Sequence, residues 1–141
     1  MRNLKNCYQK QFILIILFIL IPFLMNGCSS DSLDKSTDKG LFKVQLSLDG
    51  GVLKAGKNKG SLKLSDSSGK PVIGASIEIT PWMTKMGHGV MLVPQVGDNG
   101  GGSYEITDIF ISMKGGWELK MLIKKDNTQD EVIYEFPDVK S

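Results

Sequence analysis

Between Leu41 and Phe136 the apolar residues return at every second position far more often than at every third or fourth. Phe42, Val44, Leu46 and Leu48 show it first. The same beat recurs in Leu62 and Leu64, in Ala75, Ile77 and Ile79, in Tyr104 and Ile106, in Trp117, Leu119, Met121 and Ile123, and in Val132, Tyr134 and Phe136. A period of two places alternate side chains on opposite faces of an extended chain, so each run predicts a half-buried strand. With the apolar run Val90 to Val93 counted, about seven short strands are expected.

The intervals are rich in turn-forming residues: Asp49-Gly50-Gly51, Asp66 to Pro71, Asp98-Asn99-Gly100-Gly101-Gly102, Gly115-Gly116 and Asp126-Asn127. Gly and Asn accept the left-handed backbone that tight connections need. After residue 40 no stretch of helical length keeps a 3.6-residue period free of Gly or Pro. The expectation is an all-β chain, a small immunoglobulin-like antiparallel sandwich over residues 41–141.

The N-terminal segment follows a different rule. Arg2, Lys5 and Lys10 precede Phe12 to Met25, an apolar run broken only by Pro22. A basic stretch followed by a short apolar one is the layout of a secretory signal, and the run is shorter than the ~20 residues a membrane-spanning helix needs. Leu24-Met25-Asn26-Gly27-Cys28 then resembles a bacterial lipobox, in which the cysteine becomes the lipidated first residue of the mature protein. Two positions depart from that pattern: Leu24 lies one place further from the cysteine than usual, and Asn26 stands where a small or aliphatic residue is commoner. Residues 1–27 are therefore expected to be a lipoprotein signal peptide and Cys28 the lipidation site. Residues 28–40, rich in Ser, Asp, Lys and Thr, are expected to be a flexible linker. Export would leave the body on the extracytoplasmic side of a bacterial membrane, periplasmic or surface-exposed, tethered by lipid.

Charge changes the picture once the signal is set aside. The chain holds 17 basic and 15 acidic residues, and removing Arg2, Lys5 and Lys10 leaves 14 against 15. No basic footprint for nucleic acid remains. Both cysteines, Cys7 and Cys28, precede the body, so neither a disulfide within it nor a cysteine metal site can form there. One histidine, no thiol in the body and no Gly-x-Ser-x-Gly elbow argue against an enzyme.

One segment breaks the strand logic: Thr80-Pro81-Trp82-Met83-Thr84-Lys85-Met86-Gly87-His88-Gly89-Val90-Met91. It contains the only histidine and three of the five methionines that follow residue 28, and Met113 lies at another predicted turn. Thioether and imidazole together suit monovalent copper, a soft ion that accepts two to four such donors. Met83, Met86, His88, Met91 and Met113 are the candidate ligands. On an extended chain Met86 and His88 share a face while Met83 and Met91 point the other way. Methionine is also a routine filler of core gaps, the expected role of Met121 and an open alternative for Met83 and Met91.

These residues resemble a known pattern. TPWMTKMGHGV followed by GSYEITDIFISMKGGWELKMLI is similar to the YtkA-like domain, related to FixH-type proteins, through Met83, Met86, Gly87, His88, Gly89, Tyr104, Met113, Gly116 and Trp117. The resemblance spans about residues 42–136. It implies an immunoglobulin-like sandwich, often exported, associated with respiratory-oxidase assembly or copper handling. FixH-type members keep a transmembrane helix, where this chain is expected to carry a lipid anchor, and Met113-Lys114-Gly115-Gly116-Trp117 holds an extra glycine within the Met-x-Gly-x-Trp turn. Two functions follow as alternatives: a tethered protein that binds monovalent copper and passes it to a copper-accepting or membrane protein, or a metal-free interaction module on the membrane.

Overall fold

The computed structural model describes residues 32–141, which form nine strands and no helix. They are β1 (Ser32–Ser36), β2 (Phe42–Leu48), β3 (Gly56–Asp66), β4 (Ser76–Met83), β5 (His88–Gly89), β6 (Gln95–Gly100), β7 (Ser103–Ile111), β8 (Gly115–Lys125) and β9 (Thr128–Val139). One sheet runs β1-β2-β3-β7-β6 and the other β5-β4-β8-β9, with every neighbouring pair antiparallel. The two pack into a sandwich, the all-β architecture expected from the alternation. The predicted signal peptide and Cys28 lie outside the described residues.

Alternation maps onto burial strand by strand. Phe42, Val44, Leu46 and Leu48 of β2 point inward, as do Leu62 and Leu64 of β3. From the other sheet Ile77, Ile79, Trp117, Leu119, Met121, Ile123, Val132 and Tyr134 complete the core. Strand β7 changes phase part-way: Tyr104 and Ile106 are buried, then Ile109 and Ile111. Asp108 takes φ 57°, and opposite it the β3–β7 register shifts between Asn58 and Gly60. The added residue of this bulge returns the next two isoleucines to the interior.

Tyrosine hydroxyls tie the layers. Tyr134 of β9 donates to the Val44 carbonyl of β2 at 2.8 Å, bridging the two sheets. Tyr104 of β7 donates to the Val72 carbonyl at 2.9 Å and accepts from the Ala75 amide at 3.0 Å, fixing the β3–β4 connection. Each hydroxyl is satisfied where water is excluded. Burial pushes the Tyr134 phenol well above its ordinary range, with Asp34 adding to the effect.

Three expectations are corrected. Residues 32–36 of the predicted flexible linker are a strand: β1 pairs with β2 from Ser32↔Ser47 to Ser36↔Lys43. An edge strand held by main-chain hydrogen bonds needs no apolar alternation, which is why side-chain pattern missed it. The segment is also clasped at its far end. Asp130, 2% exposed on β9, accepts from the Thr37 hydroxyl and from the amides of Lys39, Leu41 and Glu131. Next, Val90 to Val93 forms no strand, and Met91, Leu92 and Val93 protrude between core-packed Val90 and buried Pro94. Finally, the polar Gln95–Gly100 stretch, half of it read as turn, is edge strand β6. With β1 and the two-residue β5, the strands number nine in place of about seven.

Candidate metal centre

Strand registers fix which loops share an end of the sandwich. Gly56 at the start of β3 pairs with Ile111 at the end of β7, and Met83 at the end of β4 pairs with Trp117 near the start of β8. Gly115 pairs with Val139, and Lys54 bridges to Lys140. The β2–β3, β4–β5 and β7–β8 loops therefore share one end, and the β5–β6 connection leaves it, crossing from Gly89 beside Trp82 to Gln95 opposite Thr107 in the other sheet. Met83, Met86, His88 and Met113 lie there, and Met91 is on the β5–β6 connection two residues past Gly89.

Met83 closes β4, and a four-residue turn returns the chain so that His88 becomes its cross-strand partner. The Gly87 amide donates to the Met83 carbonyl at 3.1 Å, and Gly87 takes φ 66°, the left-handed turn for which its missing Cβ suits it. Strand β5 is only two residues long, so it pairs with Trp82 and Met83 and leaves Pro81 unpartnered on that side. A proline without an N–H is tolerated at such an edge.

Met83 and Met86 part company in this turn. Met83 is 5% exposed, whereas Met86 is 58% exposed. The Met83 methyl lies 3.3 Å from where a Cβ on Gly115 would stand, so its side chain runs under the β7–β8 loop. On that loop Met113 is half-exposed, and its carbonyl accepts from the indole N–H of buried Trp117 at 3.0 Å. The Thr84 hydroxyl donates to the Gly116 carbonyl at 3.3 Å, a second link between the two loops. Met83 therefore joins the histidine hairpin to the Met113 loop: His88 is its partner on one strand, Trp117 on the other.

His88 is exposed, and its Nδ1 lies 3.1 Å from the Gly89 carbonyl. In the tautomer that donates from Nδ1, the lone pair a metal would take is on Nε2. Met91, fully exposed, projects from the β5–β6 loop. Met86, His88 and Met113 are thus exposed at the end where Met83 and Trp117 are buried, and Met91 is exposed on the neighbouring connection. The donors that Met86, His88, Met91 and Met113 offer are thioether sulfur and a single imidazole. That donor set fits monovalent copper and not zinc.

Trp117 does more than pack, since its indole also holds the loop of Met113. Thr84, which has no signal in the sequence beyond its place beside Met83, ties the two loops. Trp82, on the opposite face of β4 from Met83, is half-buried beneath the Lys120 ammonium, 4.5 Å from the ring centre. A depression of about 510 Å³ lies on the outer face of the other sheet toward the far end, lined by Lys43, Lys63, Pro71 and Gly102. It is remote from the methionines.

Comparison with known proteins finds a family model described as YtkA-like that matches residues 39–121, from the turn before β2 into β8. The match contains Met83, Met86, His88, Met91 and Met113 and excludes β1 and β9. No curated protein and no solved structure matches the chain.

Proposed function

The chain belongs to the YtkA-like family, and from that premise we propose that it is a membrane-anchored, extracytoplasmic lipoprotein that binds monovalent copper for delivery or buffering, in oxidase assembly or copper homeostasis. Lipidation at Cys28 is the tether. Met86, His88 and Met113 are the donors, Met91 a further thioether on a protruding loop, and Met83 the packed base that keeps the two loops in register. The observation that carries the reading is that exposed Met113, more than twenty residues further along the chain, stands at the same end of the sandwich as the hairpin of exposed Met86 and His88. Exposing large apolar side chains in a group is unfavourable unless they meet something. Soft-metal coordination is a use that leucine or valine would not serve.

The test is titration of monovalent copper under reducing conditions against a chromogenic chelator. The full chain is used in detergent, with Cys7 and Cys28 replaced by serine so that no thiol competes. A body beginning at Gly40 would lack β1 and is unsuitable. Stoichiometric binding is expected, with affinity falling by about tenfold or more, roughly 1.4 kcal/mol, in each of Met86→Leu and His88→Ala. Met121→Leu, in the core, should leave it unchanged. Equal affinity in all four proteins would refute the site. Absence of binding would favour the metal-free interaction module, for which the apolar run Met91-Leu92-Val93 is the natural contact.

A further inference from the structure

The same end of the sandwich carries more than metal donors. Nine large apolar residues are exposed among those described: Val52, Met86 and Met113 stand on the loops of this end, and Met91, Leu92 and Val93 on the β5–β6 connection that leaves it beside Trp82. The opposite end offers only Leu41 and Ile73. Charge follows the same polarity. The loops of the apolar end and the residues after β9 bring Lys54, Lys85, Lys114 and Lys140 against Asp49, with Asp138 paired to Lys140 at 3.5 Å. At the far end Lys39 and Lys70 are matched by Asp38 and Asp126 in the loops.

Strand β1 decides where the chain enters. Because Ser32 pairs with Ser47, one residue before the end of β2, the N-terminal side of the described chain leaves from the apolar, basic end and not from the other. Cys28 is four residues ahead of Ser32, a reach of at most about 14 Å for extended backbone. A free linker over residues 28–40 would allow any orientation; a paired β1 does not.

We propose that this end is a bilayer-docking face: the sandwich stands on the membrane with Met91, Leu92, Val93 and Val52 entering the headgroup layer and the four lysines meeting anionic phospholipid. Apolar side chains ringed by lysines are what an anionic interface binds, and each lysine near such a surface adds to the attraction. A tether of four residues keeps the face at the surface, so that even weak docking is populated. The proposal rests on the lipid anchor at Cys28. It does not depend on copper, although it would turn His88 and its methionines toward a membrane-embedded acceptor.

The test uses the full chain produced in a host that processes lipoproteins. It is reconstituted without metal on phosphatidylcholine vesicles with and without phosphatidylglycerol. Met91→Trp reports the proposed face and Ile73→Trp the far end, each read against the unsubstituted chain to remove the signal of Trp82 and Trp117. With brominated acyl chains in the phosphatidylglycerol vesicles, Met91→Trp should be quenched several-fold more than Ile73→Trp. Replacing Lys54, Lys85 and Lys114 together by Gln, or raising the salt, should reduce that difference. If the chain floats with the vesicles but the two reporters are quenched alike, docking is wrong and the anchor stands. If it does not float with them, the anchor is wrong and the proposal falls with it.

Discussion

Single residues separate packing from chemistry at the methionine end. Met83 and Met86 are three positions apart, yet one is 5% and the other 58% exposed. Met83→Leu preserves volume and should cost less than about 1.5 kcal/mol, while Met83→Ala should cost about 2–5 kcal/mol by leaving a cavity under the Met113 loop. Met86→Leu should change the urea midpoint by no more than the equivalent of about 0.5 kcal/mol while weakening copper binding. A thioether that matters to stability and one that matters to metal are thereby told apart by the same pair of assays. Gly115 makes a third case. At φ 128°, with the Met83 methyl 3.3 Å from its absent Cβ, it leaves no unstrained place for a side chain. Gly115→Ala should cost roughly 1–3 kcal/mol, read from the denaturant midpoint.

Among the elements, β1 carries most of what side-chain pattern did not announce. Its hold on the body is main-chain pairing with β2 plus the Asp130 clasp, and the clasp is sensitive to acid. Burial alone would raise the Asp130 carboxyl. Donation from Thr37 and from the amides of Lys39, Glu131 and Leu41 more than offsets it, so the group lies below its ordinary value of 3.8. A carboxyl lowered on folding contributes stability fully above its unfolded value, and that contribution is lost as pH falls through the folded one. The clasp should therefore hold above about pH 4 and weaken in more acid solution. Asp130→Asn should lose about 2–3 kcal/mol at pH 7 and show a flatter acid limb in urea unfolding from pH 7 to 3. Some slope should remain, because Asp66 is also lowered, first by the Ser68 hydroxyl and then by the Lys70 amide. Were Asp130→Asn to keep the full acid dependence, the clasp would not be its source.

For the molecule as a whole, the two sheets and the polarity of their ends are the relevant features. Tyr134 spans the sandwich to Val44, and Tyr134→Phe should cost about 1 kcal/mol, measurable as a lower thermal midpoint without loss of fold. The larger asymmetry lies between the ends: one carries His88, Met86, Met113 and Val52 with Lys54, Lys85, Lys114 and Lys140, while the loops of the other balance Lys39 and Lys70 with Asp38 and Asp126. Metal capture and membrane docking would share that end, joining donors to the surface where an acceptor would be embedded.

How much of this was legible in the chain depends on what a side chain reports. Period-two alternation is a direct consequence of half-buried extended backbone, so β2, β4, β8 and the middle of β9 could be read residue by residue, and the two-sheet architecture with them. The residue types of the candidate site were equally visible, because thioether and imidazole have the same chemistry wherever they fall. Strands β1 and β6 were not, since edge strands are held by backbone hydrogen bonds that leave no mark in hydropathy. Nor was the fate of each methionine: Met83 is packing and Met86 is not because Met83 closes β4 while Met86 lies within the exposed turn Thr84–Gly87. The sequence alone determined which elements form and which chemistry is available. Only the tertiary structure decided that loops more than twenty residues apart share one end, and that the chain enters beside them, because strand register is a long-range property of pairing and not of local pattern.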